Sequence, residues 1–353
     1  GSMCIALGYA VIISYVLKAL FDSVTGNLMT VDTGAWFGAF SGNDYSVIPF
    51  HIIVVVGTLL TLLMGAKSIE KTNKIMMPVF FVIFAVLAVR VALLPGAAAG
   101  YKFMFTPDWS ALKNPMVWIW AMGQAFFSLS VGMGTLATYA SYFNKETKLL
   151  PSAIGVCTID TLVAISAGFI IFPAVFSVGV SADSGPGLVF ITLPYVFQEA
   201  FGSVPVFEYV FSGLFYILLL LAALTSSISM HEISTAYIHE TFKLSRPKAA
   251  TIVTVICLVM GVACSLSFGV WKDVTVMGRG FFDLFDFITA KFLMPLGGLL
   301  ICTFVGWDMN KRIVAQELNS RFTSLLMILF SWVAPIGIGI IFIYGLIFSD
   351  VIR

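Results

Sequence analysis

The length of its apolar runs limits the fold of this chain more than any other feature. Nine stretches are long enough to cross a bilayer as helices: Ile5–Phe21, Val47–Met64, Ile75–Leu94, Val117–Tyr139, Ile154–Val178, Val204–Ser229, Ala249–Phe268, Phe281–Val305 and Ser324–Phe348. A helical crossing needs about 20 mostly apolar residues. The runs are too long for barrel strands and lack their alternation. Charged residues make up only 10% of the 353, against about 25% in a soluble domain, which excludes an ordinary cytosolic enzyme and a disordered chain alike. The net charge of +1 gives no electrostatic case for a nucleic-acid partner. Cys4, Cys157, Cys257, Cys264 and Cys302 show no zinc or redox spacing and read as small buried hydrophobes. The expected class is an all-α polytopic membrane protein. Gly1-Ser2-Met3 opens directly into the first run, without the basic flank or cleavage site of a signal peptide.

Loop charge predicts the orientation. Alternate loops carry Lys67, Lys71 and Lys74, then Lys145 and Lys148, then Lys243, Arg246 and Lys248, then Lys311, Arg312 and Arg321. The opposite loops carry only Lys102, Lys113, Lys272 and Arg279. Basic loops stay cytoplasmic, so the first residue is expected inside and the last outside.

Ionisable groups at membrane depth are costly and therefore candidates for function. They are Lys18, Arg90, Asp160, His231, Glu232, Asp286 and Lys291. Arg90 lies one turn before Leu94-Pro95 and can reach outward to the interface; Lys291 is ambiguous in the same way. Asp160 sits early in a long apolar run with no basic residue nearby in sequence. A carboxylate there needs a cation or a proton, which favours a functional role. The histidines His51, His231 and His239 form no metal pair or triad pattern, and no Gly-rich phosphate loop accompanies them, which argues against an enzyme.

Two polar clusters lie inside spans. In Gln124-Ala125-Phe126-Phe127-Ser128-Leu129-Ser130-Val131-Gly132-Met133-Gly134, two serines and two glycines within seven residues weaken a helix. One reading is a broken helix whose bare carbonyls and N–H groups take small ions and zwitterions. The other is a close helix–helix contact through small residues. In Ala222-Ala223-Leu224-Thr225-Ser226-Ser227, hydroxyl and carbonyl oxygens suit a hard cation; alternatively the hydroxyls bond back to their own helix.

These residues resemble a known family. Trp118 to Gly134 in order, followed by Thr138-Tyr139-Ala140-Ser141-Tyr142, is similar to helix six of bacterial neurotransmitter:sodium symporters. Leu94-Pro95-Gly96, Phe105-Thr106-Pro107-Asp108, Ala167-Gly168-Phe169-Ile170-Ile171-Phe172-Pro173, Phe190-Ile191-Thr192-Leu193-Pro194, Leu224-Thr225-Ser226-Ser227-Ile228 and Phe285-Asp286 also match, in family order. The resemblance implies the leucine-transporter fold, two inverted five-helix repeats with two sodium sites and the substrate at the midplane. It aligns residues 1–114 with the last three helices of the first repeat, 115–305 with the second repeat and 306–353 with the final helix, as one transmembrane domain. Family helices one and two then have no counterpart in the chain. Each sodium site is expected to be incomplete, the missing two helices are implied partners, and the chain is expected to be inactive alone.

Residue by residue, the resemblance places Ser128 and Asp160 at the first sodium site, and the Ala222 carbonyl with the Thr225 and Ser226 hydroxyls at the second. Tyr15 matches the tyrosine that bonds a substrate carboxylate, and the carbonyls around Phe127, Ser128 and Ser130 match those that hold an ammonium. Val11, Phe127, Met133, Ser226 and Met230 would line the side-chain pocket. Asp286 and Glu240 match the outer and inner gate acids.

The departures from the family pattern are informative. Asp160 stands where animal members carry asparagine beside chloride, and Ala164 replaces a chloride-holding hydroxyl; a fixed carboxylate implies chloride independence. Lys18 stands one turn from Tyr15 and has Asp286 or Asp22 as candidate partners. Ser68 precedes Pro78 where bacterial members often have a glycine that eases unwinding. The function implied is sodium-coupled symport of a neutral, hydrophobic or aromatic amino acid across the bacterial inner membrane, with lipid as the surrounding partner. A non-transporting remnant or accessory membrane protein of the same fold is the alternative.

Overall fold

The computed structural model describes residues 1–43, 45–63, 66–144, 146–177, 187–201, 205–318 and 322–347. The expected span ends at Met64, Val178, Val204 and Phe348, and the loop cations Lys145 and Arg321, lie outside these residues.

The described residues are helical apart from turns and an isolated β-bridge between Val276 and Arg279. In chain order the helices are α1 Ser2–Thr25, α2 Thr33–Gly42, α3 Ile48–Leu63, α4 Ala66–Ala92, α5 Ala97–Phe105, α6 Pro115–Ser128, α7 Thr135–Ala140 and α8 Leu149–Ser177. They continue as α9 Leu193–Phe201, α10 Pro205–Thr241, α11 Arg246–Leu266, α12 Phe281–Asp286, α13 Met294–Thr303, α14 Lys311–Leu318, α15 Thr323–Ile328 and α16 Ala334–Ile347. Wider π-helical turns span Leu188–Thr192, Phe287–Leu293, Phe304–Asp308 and Leu329–Val333. The last three join α12 to α13, extend α13, and join α15 to α16.

Seven helical stretches among the described residues are long and apolar enough to cross a membrane. Of the other two expected spans, α3 is an apolar helix of 16 residues, and the run 117–139 is split between α6 and α7. The surface of α4 shows why the chain needs lipid. Ile75, Val79, Val82, Val86, Val89 and, just beyond the helix, Leu93 form one exposed stripe, whereas Phe80, Ile83, Leu87 and Val91 are buried. Exposed apolar side chains at helical spacing cover a helix face that only an apolar solvent satisfies.

The chain forms two compact units, each assembled from separated segments. One contains Gly1–Ile5, Asp108–Ala164 and Phe285–Arg353. Within it α13 packs on α16, and the π-helical turns after α13 and before α16 meet each other. There a Cβ on Gly306 would lie 2.7 Å from the Ser331 backbone, and the Trp307 indole donates to the Ser331 carbonyl at 2.8 Å. The other unit contains Ala6–Pro107 and Ile165–Leu284. Its centre is α10 packed on α3, α4 and α11, with α11 also against α3. Leu62, Ile69, Ile228 and Ala250 form a buried apolar cluster there.

Candidate functional site

In the first unit the Ser/Gly run breaks a helix. Asn114 caps α6, accepting the Met116 amide at 3.0 Å, and Pro115 opens the helix where a missing N–H costs nothing. The helix ends at Ser128. Ser130, Gly132 and Gly134 then take left-handed backbone, with φ of 53°, 81° and 80°, and α7 starts at Thr135. Glycine takes such angles freely and serine does so at a cost. The Ser130 amide donates to the Phe127 carbonyl at 3.1 Å, and the Val131 amide to the Phe126 carbonyl at 3.0 Å. The Phe127 carbonyl thus accepts a backbone amide from beyond the end of α6. A Cβ on Gly132 would lie 2.1 Å from the Met294 carbonyl oxygen, so the break also rests directly on α13. Both readings of this cluster, a broken helix and a close contact through small residues, hold at once.

At the end of α6 the Ser128 hydroxyl donates to Asp160 Oδ1 on α8 at 2.5 Å. The carboxylate thus has a polar partner from a residue 32 positions away. Met133 is buried and Phe127 is 45% exposed. The Thr135 hydroxyl, just past the break, is buried without a hydrogen-bond partner; its place as first residue of the second half-helix is the signal that could have singled it out. Gln124 and Lys291 line a cavity of about 230 Å³ in the same unit, with Trp120 and Tyr344. Asp286 is exposed at the end of α12.

In the second unit the Ala222 carbonyl accepts the Thr225 hydroxyl at 2.7 Å and the Ser226 hydroxyl at 3.3 Å. Three oxygens meet within one turn of α10, and the hydroxyls bond back to their own helix. The Tyr9 phenol of α1, which the sequence did not single out, hydrogen-bonds Ser226. Tyr15 is buried, edge-on to Phe37, Phe40 and Phe190 at ring separations of 5.5, 5.8 and 5.8 Å. Its hydroxyl has no hydrogen-bond partner. Val11 and Met230 are buried in this unit, and Glu240 is exposed near the end of α10.

The remaining intramembrane charges are accounted for locally. Lys18 pairs with both Asp22 oxygens at 2.8 Å, and the Trp36 indole donates to Asp22 Oδ2 at 2.7 Å. The Lys18 ammonium also lies 5.7 to 5.8 Å from the ring centres of Phe21, Phe40 and Phe50. Buried Glu232 pairs with Arg246 at 2.5 Å. The Arg90 guanidinium sits over the Phe211 ring at 5.7 Å.

A sequence profile of the Sodium:neurotransmitter symporter family matches residues 39–352. The chain belongs to that family. Among relatives of this symporter chain, an uncharacterized sodium-dependent transporter of Bacillus subtilis (strain 168), YhdH, is 33% identical over 94% of the chain and 74% of its own length. An uncharacterized sodium-dependent transporter of Haemophilus influenzae is 31% identical over 98% of the chain and 77% of its own length. The crystal structure of MhsT in complex with L-phenylalanine superposes with a TM-score of 0.87 at 38% identity, covering 97% of the chain and 78% of MhsT. The all-α leucine-transporter fold and the multi-pass membrane character follow, and the family is one of transporters rather than enzymes.

Proposed function

We propose that the chain serves sodium-coupled symport of a neutral, hydrophobic or aromatic amino acid by alternating access. The observation that carries this reading is the Ser128–Asp160 bond at a helix break: a carboxyl group and an interrupted backbone together inside an apolar span. Sodium is cargo here. Ser128 and Asp160 would hold one ion, and the Ala222 carbonyl with the Thr225 and Ser226 hydroxyls another, each site being completed by groups beyond these residues. The Tyr15 hydroxyl, buried and unpartnered, is a donor for a substrate carboxylate. Backbone carbonyls around Phe127, Ser128 and Ser130 would accept from an ammonium. Val11, Phe127, Met133, Ser226 and Met230 would contact an apolar side chain, the two thioethers adapting to its shape. Asp286 and Glu240 would act at the outer and inner gates.

The Asp160 charge offsets that of sodium without an anion, so transport would be chloride-independent. The basic loops would place residue 1 on the cytoplasmic side. The repeat division, with residues 1–114 in the first repeat and 115–305 in the second, belongs to the same proposal. L-phenylalanine, bound in the MhsT crystal structure, is the substrate to try first. Uptake of radiolabelled phenylalanine into proteoliposomes holding the whole transporter should require an inward sodium gradient and persist when gluconate replaces chloride. Uptake indifferent to sodium ends the proposal.

A further inference from the structure

A lysine inside a membrane-spanning run is costly and calls for a partner of opposite charge. No ion pair among the described residues includes Lys291: the pairs join Lys18 to Asp22, Lys74 to Glu70 and Arg246 to Glu232. Lys291 lies in the π-helical turn Phe287–Leu293, between α12 and α13. Wide turns of this kind inside helices are frequent at functional sites. Lys291 stands on the wall of the cavity of about 230 Å³ in the first unit.

Among the described residues Lys291 is the one charged group lining that cavity, and Gln124 and Trp120 of α6 add a carboxamide and an indole. A second cavity, of about 50 Å³, shares Gly123, Ala290, Pro295 and Ile341 with the first. Its remaining walls, Phe126, Phe127, Met294 and Ile338, are all apolar. The two cavities thus adjoin, one polar with a lysine and one without a polar side chain. A Cβ on Gly123 would meet nothing within 4 Å, so the glycine leaves open the place where both meet α6. Gln124 is exposed and Lys291 half-buried, which gives the polar cavity a way in from outside.

We propose that this space binds a small apolar carboxylate, an aryl- or alkyl-alkanoate, as a ligand distinct from sodium and from the transported amino acid. The carboxylate accepts from the Lys291 amine, which has donors and no acceptor of its own, and from the Gln124 amide. A charge-assisted bond of this kind is about twice as strong as a neutral one. The ring or chain of the ligand leaves water for Phe126, Met294 and Ile338, which is favourable in proportion to the apolar area covered. The volume limits its size, since pockets for drug-sized ligands begin at about 300 Å³. The lining also sets what is refused. A free amino acid brings an ammonium as well, and among the described residues no acid lines either cavity to receive it. Phe127 is also assigned to the amino-acid pocket, but the polar groups differ: Tyr15 there, Lys291 and Gln124 here. The proposal therefore stands whether or not the sodium and substrate assignments hold.

Radiolabelled 3-phenylpropionate and the whole transporter in nanodiscs test it by equilibrium dialysis, with empty nanodiscs subtracted. Binding should saturate as a single class. Unlabelled 3-phenylpropanamide, of the same shape without the charge, should not displace the label, nor should L-phenylalanine. Lys291→Gln should weaken binding about tenfold or more, through loss of a charged hydrogen bond. That variant takes a cation out of an apolar span and should melt no lower than the unmodified protein, so its lost binding is not lost fold. Gly123→Leu puts a side chain where the cavities meet and should weaken binding as far, while leucine suits a helix better than glycine does. Binding that does not saturate, or that is equal in Lys291→Gln, overturns the proposal. Displacement by the amide or by L-phenylalanine overturns it too, since the ligand would then sit in a neutral or an amino-acid pocket. Should Gly123→Leu fail to fold, the two competitions and Lys291→Gln still decide.

Discussion

Gly132 and Met294 meet backbone to backbone: a Cβ on the glycine would fall 2.1 Å from the methionine carbonyl oxygen. Gly297 repeats the contact from the other side, its own Cβ position lying 2.2 Å from the Gly132 carbonyl oxygen. The break after α6 is therefore held by contact with α13 as well as by its own turn. Gly132→Ala meets both the clash and a φ of 81°, and should destabilise the protein by about 2 kcal/mol or more. Gly123→Ala, on α6 with nothing within 4 Å of its Cβ position, should be neutral or slightly stabilising. Thermal unfolding of the two variants in the same detergent checks the contrast.

Asp160 accepts the Ser128 hydroxyl at 2.5 Å, and its charge is proposed to do the work of an anion. Asp160→Asn keeps an oxygen acceptor for Ser128 but removes the charge. Sodium affinity should then fall on the order of tenfold or more, equivalent to about 1.4 kcal/mol per tenfold, and chloride should restore part of it. Ser128→Ala should weaken sodium binding without creating any response to chloride. Sodium titrations in chloride and in gluconate separate the two outcomes; a chloride-insensitive Asp160→Asn would remove the electrostatic role.

Glu232 is fully buried, and Arg246 is 22% exposed at the side chain. Breaking such a pair from the arginine side strands a carboxylate. Arg246→Ala should cost about 3 kcal/mol, within the range for removing one partner of a buried pair. Glu232→Gln with Arg246→Ala should recover most of that, since no charge is then left unpaired. Chemical denaturation of the single and double variants measures the coupling.

Asp108, exposed in the loop before α6, accepts the Ser110 hydroxyl at 2.5 Å and the Ser110 amide at 2.9 Å. These bonds hold its carboxyl below the ordinary carboxylate range. A depressed acid stabilises the folded turn above its unfolded pKa, and that contribution fades as pH falls through the folded value. Ser110→Ala should move the Asp108 carboxyl back toward its ordinary value, read directly by carboxyl ¹³C NMR. An unchanged titration would mean that the hydroxyl does not set it.

Much of this was legible in the residues. The apolar runs had to become helices, because lipid offers the backbone no other partner. The break at Ser128–Gly134 was legible because serine and glycine both weaken a helix, and Asp160 because a lone acid in a span has few uses. The short helices α2 and α5 were not, since their 10 and 9 residues carry no membrane-length run. The π-helical turns were hidden too, because one extra residue per turn leaves no mark on composition. Nor could sequence pair His51 with Cys257, 206 positions away, or show that Gly261 is small to admit a ring.

Lys18 shows how a charge can be read correctly as unusual and still have its partner left open. Asp286 and Asp22 were both candidates, and the structure pairs it with Asp22, one turn along α1. Asp22 is 2% exposed at its side chain, with the Trp36 indole as its second donor. Lys18→Met keeps the aliphatic stem among Phe21, Phe40 and Phe50 but leaves the acid with one donor. The expected cost is about 1–3 kcal/mol, the range for stranding a buried hydrogen-bonding group. Adding Asp22→Asn should relieve it, because an amide needs no counter-charge. Substrate preference should stay as it was, since the lysine is committed to this pair. Melting temperatures of the two variants, together with amino-acid competition in uptake, distinguish the roles: an altered substrate range with an unchanged melting temperature would make Lys18 a selectivity residue instead.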